Sequence, residues 1–94
     1  MNNRFEIPKS HHQSLDLIHE VLQRDLHALG RVQEESDRMA KQAEELEREI
    51  NRRYQQRILV LLEVCNGPEV PDGALLTGRP DEHAVDILPP GEDH

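Results

Sequence analysis

The fold depends first on residues 15–64, which read LDLIHEVLQRDLHALGRVQEESDRMAKQAEELEREINRRYQQRILVLLEV. Counting from Leu15 in alternate steps of three and four residues gives fifteen positions up to Val64, and eleven of them are apolar. The residues between these positions are mostly charged or Gln. Apolar residues at this spacing line one side of a helix, as in the a and d positions of a coiled coil. The pattern predicts an all-α protein built on a long amphipathic, coiled-coil-like helix.

Gly30 leaves two forms of this helix open. A glycine inside a helix costs about 1 kcal/mol relative to Ala, and glycine is common just after a helix end. In one interpretation the helix breaks at Gly30 into a hairpin, with Ser36 or Asp37 capping a second helix and residues 15–29 folding back on 37–53. In the other the helix is continuous, because the heptad spacing passes through Gly30 without a shift. Both forms bury the same apolar stripe.

Towards its end the stripe changes line. Arg53 and Arg57 fall on the heptad positions, whereas a four-residue shift restores an apolar line through Tyr54 and Ile58. Such a shift is what a stutter produces in a coiled coil. We expect the stripe to be covered by more helix, from a second copy, a helical partner or the chain's own other half. The expected oligomer-interface residues are Leu15, Ile18, Leu22, Leu29, Leu46, Ile50, Leu61 and Val64.

Both ends of the helical region carry start and stop signals. Ser10 and Gln13 have the spacing of a capping box, in which each side chain bonds the other residue's backbone amide. At the other end, Gly67 can adopt the left-handed cap conformation and Pro68 cannot continue a helix. The sequence therefore divides into an N-terminal arm at residues 1–9, a helical oligomerisation region at 10–66 and a tail at 67–94.

The tail differs from the rest in composition. It holds five prolines and four glycines, and seven acidic side chains against Arg79 alone. This composition predicts an extended acidic segment. Two apolar islands, residues 74–76 and 84–88, indicate short anchors that dock on a groove of this protein or of a partner. The residues expected to dock are Leu75, Leu76, Val85, Ile87 and Leu88.

Composition excludes several classes of protein. The formal net charge is −8, which disfavours direct nucleic-acid binding because that requires a basic face. The longest apolar run, residues 58–62, is too short to cross a bilayer, and the N-terminus has no apolar leader segment. Cys65 is the single cysteine, so a reducing compartment is expected. These features predict a cytoplasmic protein without a membrane segment.

The only spacing that could hold a metal is weak. His12, Asp16 and His19 are spaced i, i+4, i+7, which places an imidazole, a carboxylate and a second imidazole on one helical face. Two His and a carboxylate arise easily on an exposed helix, and a structural zinc site needs a fourth ligand. No nucleophile stands beside a base, and there is no phosphate-binding glycine loop. We expect no metal, no cofactor and no catalysis.

The function predicted from these features is a non-enzymatic interaction or assembly protein. It self-associates through its helix and docks its acidic tail on a partner or a neighbouring subunit. The alternative is a small acidic inhibitor that mimics nucleic acid and occupies a basic cleft, as viral counter-defence proteins can. In that case the acting residues are acidic side chains of the tail, namely Asp81, Glu82, Asp86, Glu92 and Asp93.

Overall fold

A computed structural model of the chain describes residues 3–35 and 40–90, with side chains for residues 4–31 and 41–90. Within these residues a short strand and a 3₁₀ turn come first, two helices follow, and two further strands come last. In order, the elements are β1 (Asn3–Glu6), the 3₁₀ turn (Lys9–His11), α1 (His12–Glu35), α2 (Ala40–Val64), β2 (Leu75–Arg79) and β3 (Ala84–Leu88).

The prediction of an all-α coiled-coil protein is wrong, because the chain is mixed α/β. Its three strands form one antiparallel sheet in the order β1-β3-β2. Phe5 of β1 lies opposite Val85 of β3, and Leu76 of β2 lies opposite Ile87. The central strand β3 thus pairs on one side with β1, four residues near the start of the chain, and on the other side with β2, its neighbour in the sequence. A pairing over that separation leaves no periodic signal in any local window of the sequence.

The two helices pack against each other as an antiparallel hairpin. His19 of α1 contacts Tyr54 of α2, while Leu29, further along α1, lines the same depression as Leu46. The continuous helix is therefore wrong, and so is a break at Gly30, which lies inside α1. The helical boundaries fall at Glu35 and Ala40, and the proposed caps Ser36 and Asp37 lie outside the described residues.

The start of the helical region differs from the predicted capping box. The backbone enters through the 3₁₀ turn, where the N–H of His11 donates to the Pro8 carbonyl at 2.8 Å. Pro8 occupies the N-cap position of that turn and Ser10 lies within it, so Ser10 is not the cap. Proline suits this place because it ends β1 pairing and has no N–H to leave unsatisfied.

The end of α2 is a Schellman motif. The Gly67 N–H donates to the Leu62 carbonyl at 2.7 Å, and the Asn66 N–H donates to the Glu63 carbonyl at 3.2 Å. Asn66, with φ of 56°, is the residue in the left-handed conformation. The sequence predicts the helix end correctly but assigns that conformation to Gly67. Asn is one of the few side chains that tolerate it at small cost.

The predicted extended tail is also wrong, because residues 75–88 form a β-hairpin. Its entry is a turn in which the Ala74 N–H donates to the Pro71 carbonyl at 3.2 Å and Gly73 takes a φ of 83°. Between the strands, the His83 N–H donates to the Pro80 carbonyl at 3.4 Å. Proline and glycine, which suggested an unfolded segment, instead supply the two turns.

The core lies between the helical hairpin and one face of the sheet. Its fully buried members include Leu15 of α1, Ile58 and Leu62 of α2, and Val85 of β3. Each such side chain contributes about 1.5–3 kcal/mol when it leaves water. The whole core consists of Ile7, Leu15, Tyr54, Ile58, Leu61, Leu62, Leu76, Val85 and Ile87. The fold is thus two layers, one of helices and one of strands.

Candidate functional site

The predicted interface residues divide between the core and the surface. Leu15, Leu29 and Leu61 are buried within the chain, and Ile18, Leu22 and Ile50 are half-buried. Leu46 and Val64 are exposed. Part of the stripe is therefore covered by the chain's own other helix and by the sheet, which leaves a second apolar face open.

The open face lies on the side of the hairpin away from the sheet. Residues two apart on a helix point about 200° apart. Leu17 therefore points away from buried Leu15, and Val60 points away from both Ile58 and Leu62. We call this surface the sheet-distal face.

Two adjoining grooves run along the sheet-distal face. One lies near the start of α1 and the end of α2, the helix ends that pack on the sheet; we call it the sheet-end groove, and its volume is about 500 Å³. The other lies nearer the connection between the helices; we call it the far groove, and its volume is about 220 Å³. Arg53 lines both, so the two are continuous. The sheet-end groove is lined mainly by Leu17, Ile18, Arg57, Val60, Leu61 and Val64, and the far groove by Asp25, Ala28, Leu29, Leu46 and Ile50.

Exposed apolar side chains are concentrated on this face. Leu17 is 59% exposed, and Val60 and Val64 are each 56% exposed. Leu46, in the far groove, is also exposed. A single exposed leucine needs no explanation, but a contiguous apolar patch is typical of a surface that binds another protein.

Charged residues lie within the same face. Arg53 forms an ion pair with Glu49 one helical turn away, at 2.9 Å. Arg57 lines the sheet-end groove and Asp25 lines the far groove. Among the described residues, neither Arg57 nor Asp25 has an ion-pair partner. Within the described part of the chain, the face thus combines an apolar surface with one unpaired basic side chain in the sheet-end groove and one unpaired acidic side chain in the far groove.

Beneath the sheet lies a partly buried polar cluster of Gly78, Tyr54 and His19. The Gly78 N–H donates to the Tyr54 hydroxyl at 2.8 Å, and that hydroxyl lies 3.0 Å from His19 Nε2. The hydroxyl oxygen accepts from Gly78, and its own proton can be donated to Nε2 in the histidine tautomer that leaves this nitrogen unprotonated. Burial lowers the pKa of His19 and raises the pKa of Tyr54. Both shifts keep the neutral forms that this cluster needs.

The cluster predicts that acid destabilises the fold. His19 titrates below its ordinary pKa of 6.5 in the folded chain. As pH falls below 6.5, the unfolded chain gains a proton more readily than the folded one, so the free energy of unfolding declines until the folded pKa is passed. Thermal melts between pH 8 and 5 should show wild type losing stability more steeply than His19→Gln, which accepts a hydrogen bond without titrating. If the melting temperatures of wild type and His19→Gln fall in parallel with pH, His19 does not contribute to the pH dependence of stability.

The three residues spaced for a metal do not converge on one point. His12 stacks on His83 with ring centroids 3.8 Å apart, and its Nε2–H donates to the Ile7 carbonyl at 2.8 Å. Asp16 lies 3.7 Å from His83 Nε2, whereas His19 faces Tyr54. Among the described residues no three His, Cys, Asp or Glu side chains are grouped to hold a metal ion. His12 and Asp16 instead contact the β2–β3 turn.

Gln55 covers the outer edge of β2. Its Nε2 donates to the Leu76 carbonyl at 2.6 Å, and its Oε1 accepts from the Leu76 N–H at 2.7 Å. The amide therefore bonds the strand as a neighbouring strand does, which protects an edge that otherwise invites pairing with another chain. Sequence reasoning missed this role, because glutamine on a helix has no pattern that marks it.

The tail residues predicted to dock mostly contact this chain itself. Leu76, Val85 and Ile87 belong to the core, while Leu88 is half-buried and Leu75 is exposed on the outer face of the sheet. The three buried residues are therefore covered by the chain's own helices and are not available to a second surface without unfolding.

The acidic residues of the tail are partly neutralised by arginines. Arg79 donates to Asp86 and, with a smaller effect from Arg4, keeps the pKa of that carboxyl below its usual range. Arg4 also pairs with Glu82 at 2.8 Å. Glu92 and Asp93 lie outside the described residues. The described contacts give the nucleic-acid-mimic alternative no specific support.

Comparisons with known proteins assign no relatives. No protein-family model matches the chain, and searches of curated proteins and of solved structures find no similar protein. Within residues 3–35 and 40–90, neither helix is long and apolar enough to span a membrane. The candidate site therefore rests on the geometry of the sheet-distal face.

Proposed function

We propose that this chain is a non-enzymatic assembly protein that self-associates through the sheet-distal face of its helical hairpin. The observation that carries the proposal is the pair of continuous apolar grooves between α1 and α2, with Leu17, Val60 and Val64 exposed along them. The buried polar groups, in contrast, bond one another or the backbone beneath the sheet. These polar groups stabilise the fold. The surface available for binding another molecule is the pair of apolar grooves.

A second copy of the chain suits this face in size. Helices of 24 and 25 residues are about 37 Å long, and a pair of them is about 19 Å across. The grooves are lined by residues within 11–29 and 46–64, about 27 Å of that length, so the face covers roughly 500 Å² on each copy. Two copies then bury about 1,000 Å², the lower limit for a specific interface. Packing two hairpins on such faces gives a four-helix bundle.

The experiment compares two variants that each place an aspartate at an exposed apolar position, on different surfaces of the molecule. Val60→Asp places a charge in the sheet-end groove, and Leu75→Asp places one on the exposed outer face of the sheet. We expect Val60→Asp to be monomeric by light scattering coupled to gel filtration, because an unpaired charge cannot be buried cheaply. Leu75→Asp should keep the mass of wild type.

Circular dichroism melts of both variants serve as the control for folding. A folded Val60→Asp that retains the oligomeric mass of wild type contradicts the proposal. Loss of the oligomer in Leu75→Asp but not in Val60→Asp moves the interface to the sheet.

A further inference from the structure

We infer that the two copies pack as an antiparallel twofold dimer, in which the sheet-end groove of each copy covers the far groove of the other. This inference rests on the proposed self-association and specifies its geometry. It is carried by the placement of Arg57 in the sheet-end groove and Asp25 in the far groove, on either side of Arg53.

The contact between His19 and Tyr54 fixes how the two helices are aligned along their length. Arg57 lies three residues beyond Tyr54 in the direction of the sheet end, or about 4.5 Å at 1.5 Å per residue. Asp25 lies six residues beyond His19 in the opposite direction, or about 9 Å. The midpoint of these two charges is level with Arg53, the residue that lines both grooves.

A twofold axis through that midpoint, perpendicular to the helices, exchanges the ends of the face. It brings Arg57 of one copy to the level of Asp25 of the other, and by symmetry it does so twice. The exposed apolar side chains Leu17 and Val60 then cover the far groove of the second copy, where Ala28 and Leu46 are exposed. Arg53, close to the axis, faces Arg53 of the second copy, and the ion pair of each with Glu49 offsets this like-charge contact.

The parallel twofold arrangement is disfavoured by the same residues. It places the sheet-end groove of one copy over the sheet-end groove of the other. Arg57 then approaches Arg57 of the second copy, and Asp25 approaches Asp25. Like charges held together inside an apolar interface are costly, whereas opposite charges fix the register of two packed surfaces. Electrostatic complementarity therefore selects the antiparallel dimer.

Charge reversal tests this geometry on the whole 94-residue chain. Arg57→Glu and Asp25→Arg should each weaken the homodimer by about tenfold or more in sedimentation equilibrium, because each dimer contains the contact twice. The double variant Asp25→Arg/Arg57→Glu should recover the wild-type dissociation constant. Mixing the two single variants in equal amounts should give a heterodimer that is tighter than either homodimer.

A cysteine variant provides a second readout that does not depend on charge. Val21, four residues after Leu17 on the same face, lies close to the inferred axis. In a Cys65→Ser background, Val21→Cys should oxidise readily to a covalent dimer, because α1 then lies over α1 of the second copy. In the parallel arrangement α1 lies over α2, and no such cross-link is expected.

The outcomes separate this inference from the proposed function. If wild type is a dimer that Val60→Asp dissociates, but the charge reversals are not rescued by combination and Val21→Cys does not cross-link, the antiparallel geometry is wrong while self-association stands. A wild-type monomer overturns both.

Discussion

We expect Gly78→Ala to lower the free energy of unfolding by about 3 kcal/mol, which corresponds to a melting temperature lower by about 15 °C in a domain of this size. The added Cβ would lie 2.5 Å from His19 Nε2 and 2.8 Å from the Tyr54 hydroxyl. Both distances are far below van der Waals contact, so either the His19 ring and the Tyr54 hydroxyl must shift or β2 must move away from the helices. Either movement disturbs the bonds that join Gly78, Tyr54 and His19. Thermal and urea unfolding followed by circular dichroism measure the loss.

Gly30→Ala is the matched control for this substitution. Gly30 lies within α1, and no described atom that its Cβ would meet is within 4 Å. The same chemical change should therefore stabilise the protein by about 1 kcal/mol through helix propensity. Because His19 provides the closest clash, His19→Ala should restore part of the stability of Gly78→Ala. A Gly78→Ala variant as stable as wild type would show that the sheet does not pack so closely on α1 and α2.

Leu76→Ala should lower the free energy of unfolding by about 3 kcal/mol, whereas Leu75→Ala should change it by less than about 0.5 kcal/mol. The two leucines are neighbours in β2, but Leu76 is 3% exposed and Leu75 is 51% exposed. Truncating Leu76 leaves a cavity against the helices, while Leu75 already faces solvent. Chemical denaturation of both variants and wild type gives the comparison directly.

This pair also distinguishes a folded tail from a detachable one. If residues 67–94 were a separate docking segment, both substitutions would leave the stability of the helices unchanged. Equal and negligible effects would therefore contradict the packing of β2 on α2. A large effect for Leu75 alone would mean that the opposite face of the strand is buried.

The helices could be predicted from the sequence because their apolar residues repeat within short windows. The stutter near Arg53 and Arg57 marks the place where two different faces of α2 overlap, which the sequence pattern alone does not reveal. The shifted line, through Tyr54 and Ile58, faces the core, and the unshifted line, through Arg53, Arg57 and Val60, faces the groove. Two overlapping stripes on one helix indicate two different neighbours.

The sheet could not be predicted in the same way. β2 alternates between exposed and buried residues, but one of its buried positions is Gly78. Glycine has no side chain, so this position adds no apolar residue to the alternation. In β3 both Ala84 and Val85 are buried, so alternation fails there as well. The sheet is completed by β1, whose four residues are too few to give a periodic signal.

The candidate site was predicted only in part for a related reason. Val64 and Leu46 follow the heptad and were expected at an interface, whereas Leu17 lies off the heptad. A residue outside the stripe reads as an isolated surface leucine until the helix to which it belongs is placed against the sheet. Leu17 becomes part of an apolar groove only because α2 places Val60 and Val64 along the same groove.

Self-association is tested most directly by the molar mass of the wild-type chain in solution. Sedimentation equilibrium over a series of micromolar loading concentrations should give a mass that rises with concentration towards twice the 10.9 kDa of one chain. A mass that stays at one chain across the whole series, even at the highest concentration reached, would contradict a groove built to receive a second copy.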